Sequence, residues 1–320
     1  MIDGGVNPAD ARTAAKIEVA KRPTLLSALV VGYVEHVQDT LKPRTYIETK
    51  RYLEHYLKPL HNLPIGAVER RDVAACLQNI AKTKGNVSAD RARSCLSAMF
   101  AWAIGEGLAE ENPVTGTNRR SDDEPRTRVL SDAEIAKLWN GLPDSQYGAI
   151  VRLLALTGCR RDEIGGLCWQ EIDFKERIIT LPSERTKNGT EHVVPLSDLA
   201  LNILESQKRV LGRPFVFGWN ANGFTNWRAS KDGLNTVLKF EKPWTLHDIR
   251  RTVRTGLGKL GVAPHIAEIV LNHLPPRLTR TYDTYKYEGE KRAALDAWAS
   301  HIKLILAQGE GANVVAMARA

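Results

Sequence analysis

Four short blocks in the second half of this 320-residue chain concentrate side chains able to handle an anionic phosphorus centre. They are LTGCRRDEIGGLCW at 156–169, RTKNGTEHVVPLS at 185–197, WTLHDIRRT at 244–252 and VLNHLPPRLTRTYDTYKY at 270–287. Arginine offers planar, permanently charged, bidentate donors that match phosphate geometry. Lysine is a flexible cation whose pKa falls near other cations, which suits proton donation. Tyrosine is a weak nucleophile until its proton is removed or its phenolate is stabilised. Taken singly, each has a plainer explanation: an arginine at a helix start is usually a surface charge, and a lysine before Asn-Gly is ordinary turn composition. The conjunction and the order of Arg, Lys, HxxR, His and Tyr are what point to chemistry.

Those blocks need a scaffold, and the composition permits one. The length fits two domains, each large enough for its own core. Hydrophobic residues at 43% and charged residues at 26% exclude a wholly disordered or membrane-embedded chain. No apolar run is long enough for a transmembrane helix, and MIDGGVNPADARTAAK lacks the apolar stretch of a signal peptide, so the chain reads as cytoplasmic. Cys76, Cys95, Cys159 and Cys168 show no CxxC spacing and no histidine at ligand spacing, which reads as reduced thiols without structural zinc. The net charge of +8, with a pI near 9.3, suits a polyanionic partner such as nucleic acid.

Periodicity predicts helices from Thr24 to Asn112. The clearest is Ser88 to Gly107, where Ala92, Cys95, Leu96, Met99, Phe100, Ala103 and Ile104 form one buried stripe. Pro43 marks another helix start. The stretch NPVTGTNRRSDDEPRTR at 112–128 is polar and aperiodic, as a linker is. Ser131 with Glu134 is a capping-box signal. Ile178 to Leu181 and Val193 to Leu196 read as strands about an Asn188-Gly189 turn, and helical patterns then resume to about Leu306. His265 reads as a surface or packing histidine, and His192 as structural or in contact with a DNA backbone.

The four blocks resemble those of the tyrosine recombinase (phage integrase) family, and their wording is most similar to the integrases of prophages and genomic islands. The resemblance spans about Leu25 to Ala307, specific in the second half and loose in the first. It implies a mainly α fold with a small antiparallel β-sheet, in which a helical core-DNA-binding domain and a catalytic domain of the DNA breaking-rejoining type clamp the duplex. The implied divisions are a connector remnant at 1–23, the core-binding domain at 24–115, a linker at 116–128, the catalytic domain at 129–307 and a tail at 308–320. TGCR matches the family's TGxR and makes Arg160 the first catalytic arginine, with Glu163 as a supporting acid. Lys187 takes the hairpin lysine position as general acid, and HxxR supplies His247 and Arg250. His273 takes the later histidine position, and Tyr282, nine residues on, that of the nucleophile. Tyr285 shares part of a helical face with Tyr282, so periodicity alone does not separate them, and Tyr287 reads as packing.

Two departures stand out. The usual LGH reads Leu271-Asn272-His273, and asparagine is the next best residue to glycine for a left-handed cap. Relatives in this subgroup also carry a small arm-binding domain before the connector, either truncated here or absent from the lineage. The reaction implied is site-specific recombination through a 3′-phosphotyrosyl intermediate, on double-stranded DNA, in a tetramer on paired sites, with DNA-bending accessory proteins as possible partners and the protein nucleoid-associated in a bacterial or phage setting. The rivals are a type IB topoisomerase and a non-catalytic integrase-like DNA-binding protein. No cofactor or metal is implied. DNA cleavage is accordingly expected to persist in excess EDTA without ATP. Loss of cleavage that returns with magnesium, in protein that stays folded, would contradict this.

Overall fold

The computed structural model describes residues 24–121, 126–219, 223–273, 282 and 285–309. The connector at 1–23 and the tail beyond 309 lie outside the described residues. The chain forms two compact units, Met1–Pro125 and Arg126–Ala320, and its architecture is mainly helical with one small antiparallel sheet.

In the first unit, helix α1 (Leu26–Val37) is followed by α2 (Pro43–Arg51), which starts on Pro43 and runs into a π-helical turn at Tyr52–Tyr56. Helices α3 (Arg70–Lys84) and α4 (Asn86–Gly105) complete the unit. Leu53, Leu77, Leu96, Met99 and Phe100 close its core. The α4 stripe faces inward through Ala103, but Ile104 at its last turn is exposed. Residues 116–121 of the expected linker are tied to this unit. The buried Asp90 carboxylate accepts the backbone N–H of Arg120 at 2.7 Å and of Ser121 at 2.8 Å. Burial pushes that carboxyl up, yet these bonds outweigh it and hold it below the usual range.

The second unit is built around α6 (Gln146–Thr157), which is apolar on every side and buried accordingly. Before it comes α5 (Asp132–Gly141), capped by Ser131, whose hydroxyl accepts from the Glu134 N–H while the Glu134 carboxylate accepts from the Ser131 N–H. After it come the short α7 (Arg161–Gly165) and strands β1 (Ile172–Asp173), β2 (Ile178–Leu181) and β3 (His192–Pro195), in the order β1-β2-β3. Ile179 pairs with Val194 and Leu181 with His192. The link between β2 and β3 is the loop 182–191, and the expected turn lies within it, where the Gly189 N–H donates to the Thr186 carbonyl at 3.4 Å and Gly189 has φ of +69°. The loop opens with a 3₁₀ turn at Ser183–Arg185, and Arg185 ties it down through Glu171 and the Glu163 carbonyl at 2.9 Å. Helices α8 (Asp198–Glu205), α9 (Trp227–Leu238), α10 (Leu246–Lys259), α11 (Pro264–Val270) and α12 (Glu288–Gly309) surround the core.

Two side chains lock α12 onto this unit. Lys291 Nζ donates to the Val193 carbonyl at 2.8 Å, and Trp298 Nε1 donates at 2.7 Å to the Ala155 carbonyl, one of the free acceptors in the last turn of α6. The Trp298 ring lies so close to α10 that a Cβ on Gly256 would come within 2.1 Å of it. Because the indole is buried and hydrogen-bonded, it has nowhere to move. Gly256→Ala is expected to destabilise the second unit by about 1–3 kcal/mol, read from its urea unfolding midpoint. An unchanged midpoint would mean that the contact relaxes without cost.

Candidate active site

Helix α6 stops at Gly158, whose φ of +66° is the left-handed conformation that suits a residue without a Cβ, and a Cβ there would lie 2.6 Å from Leu271. This turn frees the Gly158 carbonyl, which accepts from Arg250 Nη1 at 2.6 Å, while Arg250 Nη2 donates to the Leu271 carbonyl. Arg250 is only 3% exposed. Burial, and then the neighbouring Arg160 charge, lower its pKa to about 10, so it stays protonated at neutral pH.

Arg160 is the residue at which α7 begins. Its backbone N–H donates to one oxygen of Glu163 at 2.7 Å and its guanidinium Nη1 to the other at 2.8 Å. Its Nη2 donates to the Asn272 carbonyl at 3.3 Å, and Asn188 Nδ2 donates to that same carbonyl at 2.5 Å. Asn272 has φ of +51°, so the left-handed turn survives the replacement of glycine. One backbone oxygen thereby joins Arg160 to the loop that carries the exposed Lys187.

Arg160, Lys187, His247 and Arg250 line one cleft of about 590 Å³, together with Trp227, Lys231 and Trp244. His273 follows Asn272 directly, and its Nδ1 lies 2.5 Å from Glu268 Oε2, while Arg254 Nε donates to Oε1 of the same carboxylate at 2.7 Å. Tyr282 is not among the lining residues and is 82% exposed. The residues between it and His273 lie outside the described residues. Tyr285 is exposed, with its ring edge-on to Tyr287 at 4.7 Å, and Tyr287 packs against the core. Among the described residues, no group of three or more His, Cys, Asp or Glu side chains could hold a metal ion, and no helix is long and apolar enough to cross a membrane.

The phage integrase family matches residues 128–288, and the phage integrase central domain matches residues 27–119. The chain belongs to the phage integrase family and is a tyrosine recombinase. Prophage integrase IntZ of Escherichia coli K12 is 28% identical over 96% of this chain and 78% of its own length. Prophage integrase IntA of the same organism is 32% identical over 46% of this chain and 37% of its own length. A lambda integrase dimer bound to a COC′ core site shares the fold with a TM-score of 0.65, at 20% identity over 82% of this chain and 98% of that one. A lambda integrase tetramer bound to a Holliday junction aligns with a TM-score of 0.63 and 20% identity, over 87% of this chain and 84% of that one.

Around the cleft lie further bonded residues that sequence reasoning passed over. Asp248, inside HxxR, is fully buried and accepts from the Thr245 N–H at 2.8 Å, from Arg126 Nε at 2.9 Å and from Arg251 Nη1 at 2.7 Å. Burial raises its carboxyl, but these bonds win and leave it below the usual range. The Thr245-x-x-Asp248 capping spacing was a readable signal for it. Nothing local marked Arg126, at the end of the expected linker, or Glu268. Burial raises the Glu268 carboxyl too, and the bonds from Arg254 and His273 then lower it below the usual range. His247 is pulled below its ordinary value by burial and then by Arg251 and Arg250, which keeps it neutral at pH 7.

His192 is buried in β3 and hydrogen-bonds the backbone of Val270, so it is a structural residue behind the site. Burial, with Lys291 and Arg250 adding repulsion, depresses its pKa to about 3. The unfolded chain therefore takes up a proton first, near pH 6.5, and the stabilisation is complete above that value and lost as the pH falls towards about 3. Between pH 7 and pH 5 the recombinase is expected to lose about 2 kcal/mol of unfolding free energy through this residue. In His192→Phe the fall measured by urea titration should be smaller by that amount. An equal fall in both proteins would clear His192 of the effect.

Proposed function

We propose that this recombinase cleaves and rejoins duplex DNA through Tyr282, and that it integrates or excises a mobile element. The Tyr282 phenol oxygen attacks the scissile phosphorus, forming a Tyr O–P bond as the P–O5′ bond breaks. The products are a 3′-phosphotyrosyl link and a free 5′-hydroxyl, which then attacks the 3′-phosphotyrosyl phosphorus of the partner strand, forming a new P–O5′ bond as the Tyr O–P bond breaks and the phenol is reprotonated. Arg160 and Arg250 stabilise charge on the nonbridging oxygens, and His273 donates a further hydrogen bond to them. His247, neutral and beside the arginines, accepts the phenol proton, and Lys187 delivers a proton to the departing 5′ oxygen. Glu163 orients Arg160. The step needs no metal, because the cations that neutralise the phosphorane belong to the protein.

One observation supports this reading most: two arginines, a neutral histidine and a lysine from three separate segments line a single cleft. The DNA-bound lambda integrase dimer and tetramer support duplex DNA as the partner and assembly into a tetramer on paired sites. Bending proteins are accessory partners in that assembly, which forms on bacterial or phage DNA at the nucleoid. The units 24–115 and 129–307 divide the work into core-site binding and catalysis, joined by 116–128.

A half-site suicide substrate tests the nucleophile. Wild-type protein and Tyr285→Phe are expected to form a covalent protein–DNA adduct that maps by peptide to Tyr282, while Tyr282→Phe binds the substrate equally well and forms none. An adduct that survives in Tyr282→Phe and vanishes in Tyr285→Phe would transfer the role. Relaxation of supercoils without site preference would favour the topoisomerase reaction.

A further inference from the structure

Among the cleft-lining cations that the reaction above does not use, Arg161, Arg228 and Lys231, the lysine is the one set on an aromatic ring inside the cavity. Lys231 lies on α9, half-buried, and lines the same cavity as Arg160, His247 and Arg250. Its ammonium is held by two neutral groups. The nitrogen sits 3.7 Å above the centre of the Trp244 ring and donates to Asn235 Oδ1, one turn along the helix. These contacts fix the position of the charge without neutralising it.

Lys231 rests on Trp244 and Asn235, whereas Arg160 is held by Glu163 and Asn272 and Arg250 by Gly158 and Leu271, so the lysine shares no anchoring residue with either arginine. Asp232 and Asp248 attract it and Arg126 repels it, whereas Arg250 responds to Arg160, Glu163 and Glu268. Lys231 and the arginines are therefore separately supported cations of one cleft. The apolar lining of the cleft includes Trp244 beneath Lys231 and Trp227, over which Arg161 stacks at 5.0 Å. Burial there costs the ammonium more than its two carboxylates return, leaving the amine at about 8, well below an ordinary lysine. A further anion against the nitrogen would relieve that imbalance.

We propose that Lys231 binds a backbone phosphate of the cleaved strand other than the scissile one, and so sets the register of that strand against Arg160 and Arg250. The inference rests on duplex DNA being the substrate. Lys231 donates a charge-assisted hydrogen bond to a nonbridging oxygen of that second phosphate, and Trp244 keeps the ammonium in place before DNA arrives. Lys187 remains the donor to the leaving oxygen.

The test is binding of the full chain to a fluorescein-labelled DNA duplex, followed by anisotropy over a series of KCl concentrations. Each phosphate neutralised contributes about −0.9 to the slope of log affinity against log salt. Lys231→Met is expected to bind several-fold more weakly, with a slope shallower by about 0.9, and Lys231→Arg to restore both. Thermal melting establishes that the variants are folded. If the methionine variant is not, Lys231→Gln, which keeps a donor for Asn235, should show the same loss. A wild-type slope in a folded Lys231→Met or Lys231→Gln protein would overturn this inference and leave the recombinase reading standing. A wild-type protein with no salt-dependent affinity for duplex DNA would overturn both.

Discussion

The second unit depends on the buried guanidinium of Arg250. Its two donors reach the carbonyls of Gly158, after α6, and Leu271, after α11, so one side chain of α10 joins the ends of two other helices. Removing it would leave two carbonyls unpaired, at about 1–3 kcal/mol each where they are buried. It would also free the turn that starts Arg160 on its path. The left-handed Gly158 is the local condition for this arrangement, because only that turn brings its carbonyl round to Arg250 while leaving room for Leu271.

Around that centre, carboxylates steady cations from behind. Glu163 holds Arg160 and caps α7; Asp248 holds Arg126 and Arg251 and caps α10; Glu268 holds Arg254 and meets His273. Asp248 and Glu268 are kept ionised by hydrogen bonds that overcome their burial. The result is a cleft whose cations are oriented before any anion enters, so little reorganisation remains for the moment when charge develops. The neutral His247 is a consequence of the same crowding, since a further positive charge beside Arg250 and Arg251 is disfavoured.

The two ends of the intervening segment show a related economy. Asp90 fastens Arg120 and Ser121 to the helical unit, and Asp248 fastens Arg126 to the helix that carries His247 and Arg250. A polar, aperiodic stretch reads from sequence as a free linker. The side chains and N–H groups that dock it are set by partners far away in the chain, so composition does not reveal them.

Much of the architecture was legible without the structure because it is local. The α4 stripe, the Pro43 start, the Ser131–Glu134 cap and strand β2 follow from periodicity and from side chains that bond within one turn. The left-handed Asn272 follows from the conformational preference of one residue type. The family was legible because its blocks keep residue type, order and spacing, all of them properties of a string. The sequence left other matters open: that the β2–β3 link is a braced loop, that Ile104 faces outward, that Arg160 and Asn188 meet on the Asn272 carbonyl, and that Glu268 serves His273. The bonds to the Asn272 carbonyl join segments 112 and 84 residues apart, and even the Glu268–His273 pair, five residues apart, forms only because the chain turns at Asn272. A carbonyl acceptor carries no residue identity, and a single long-range contact has no period, so only the packed tertiary structure could decide them.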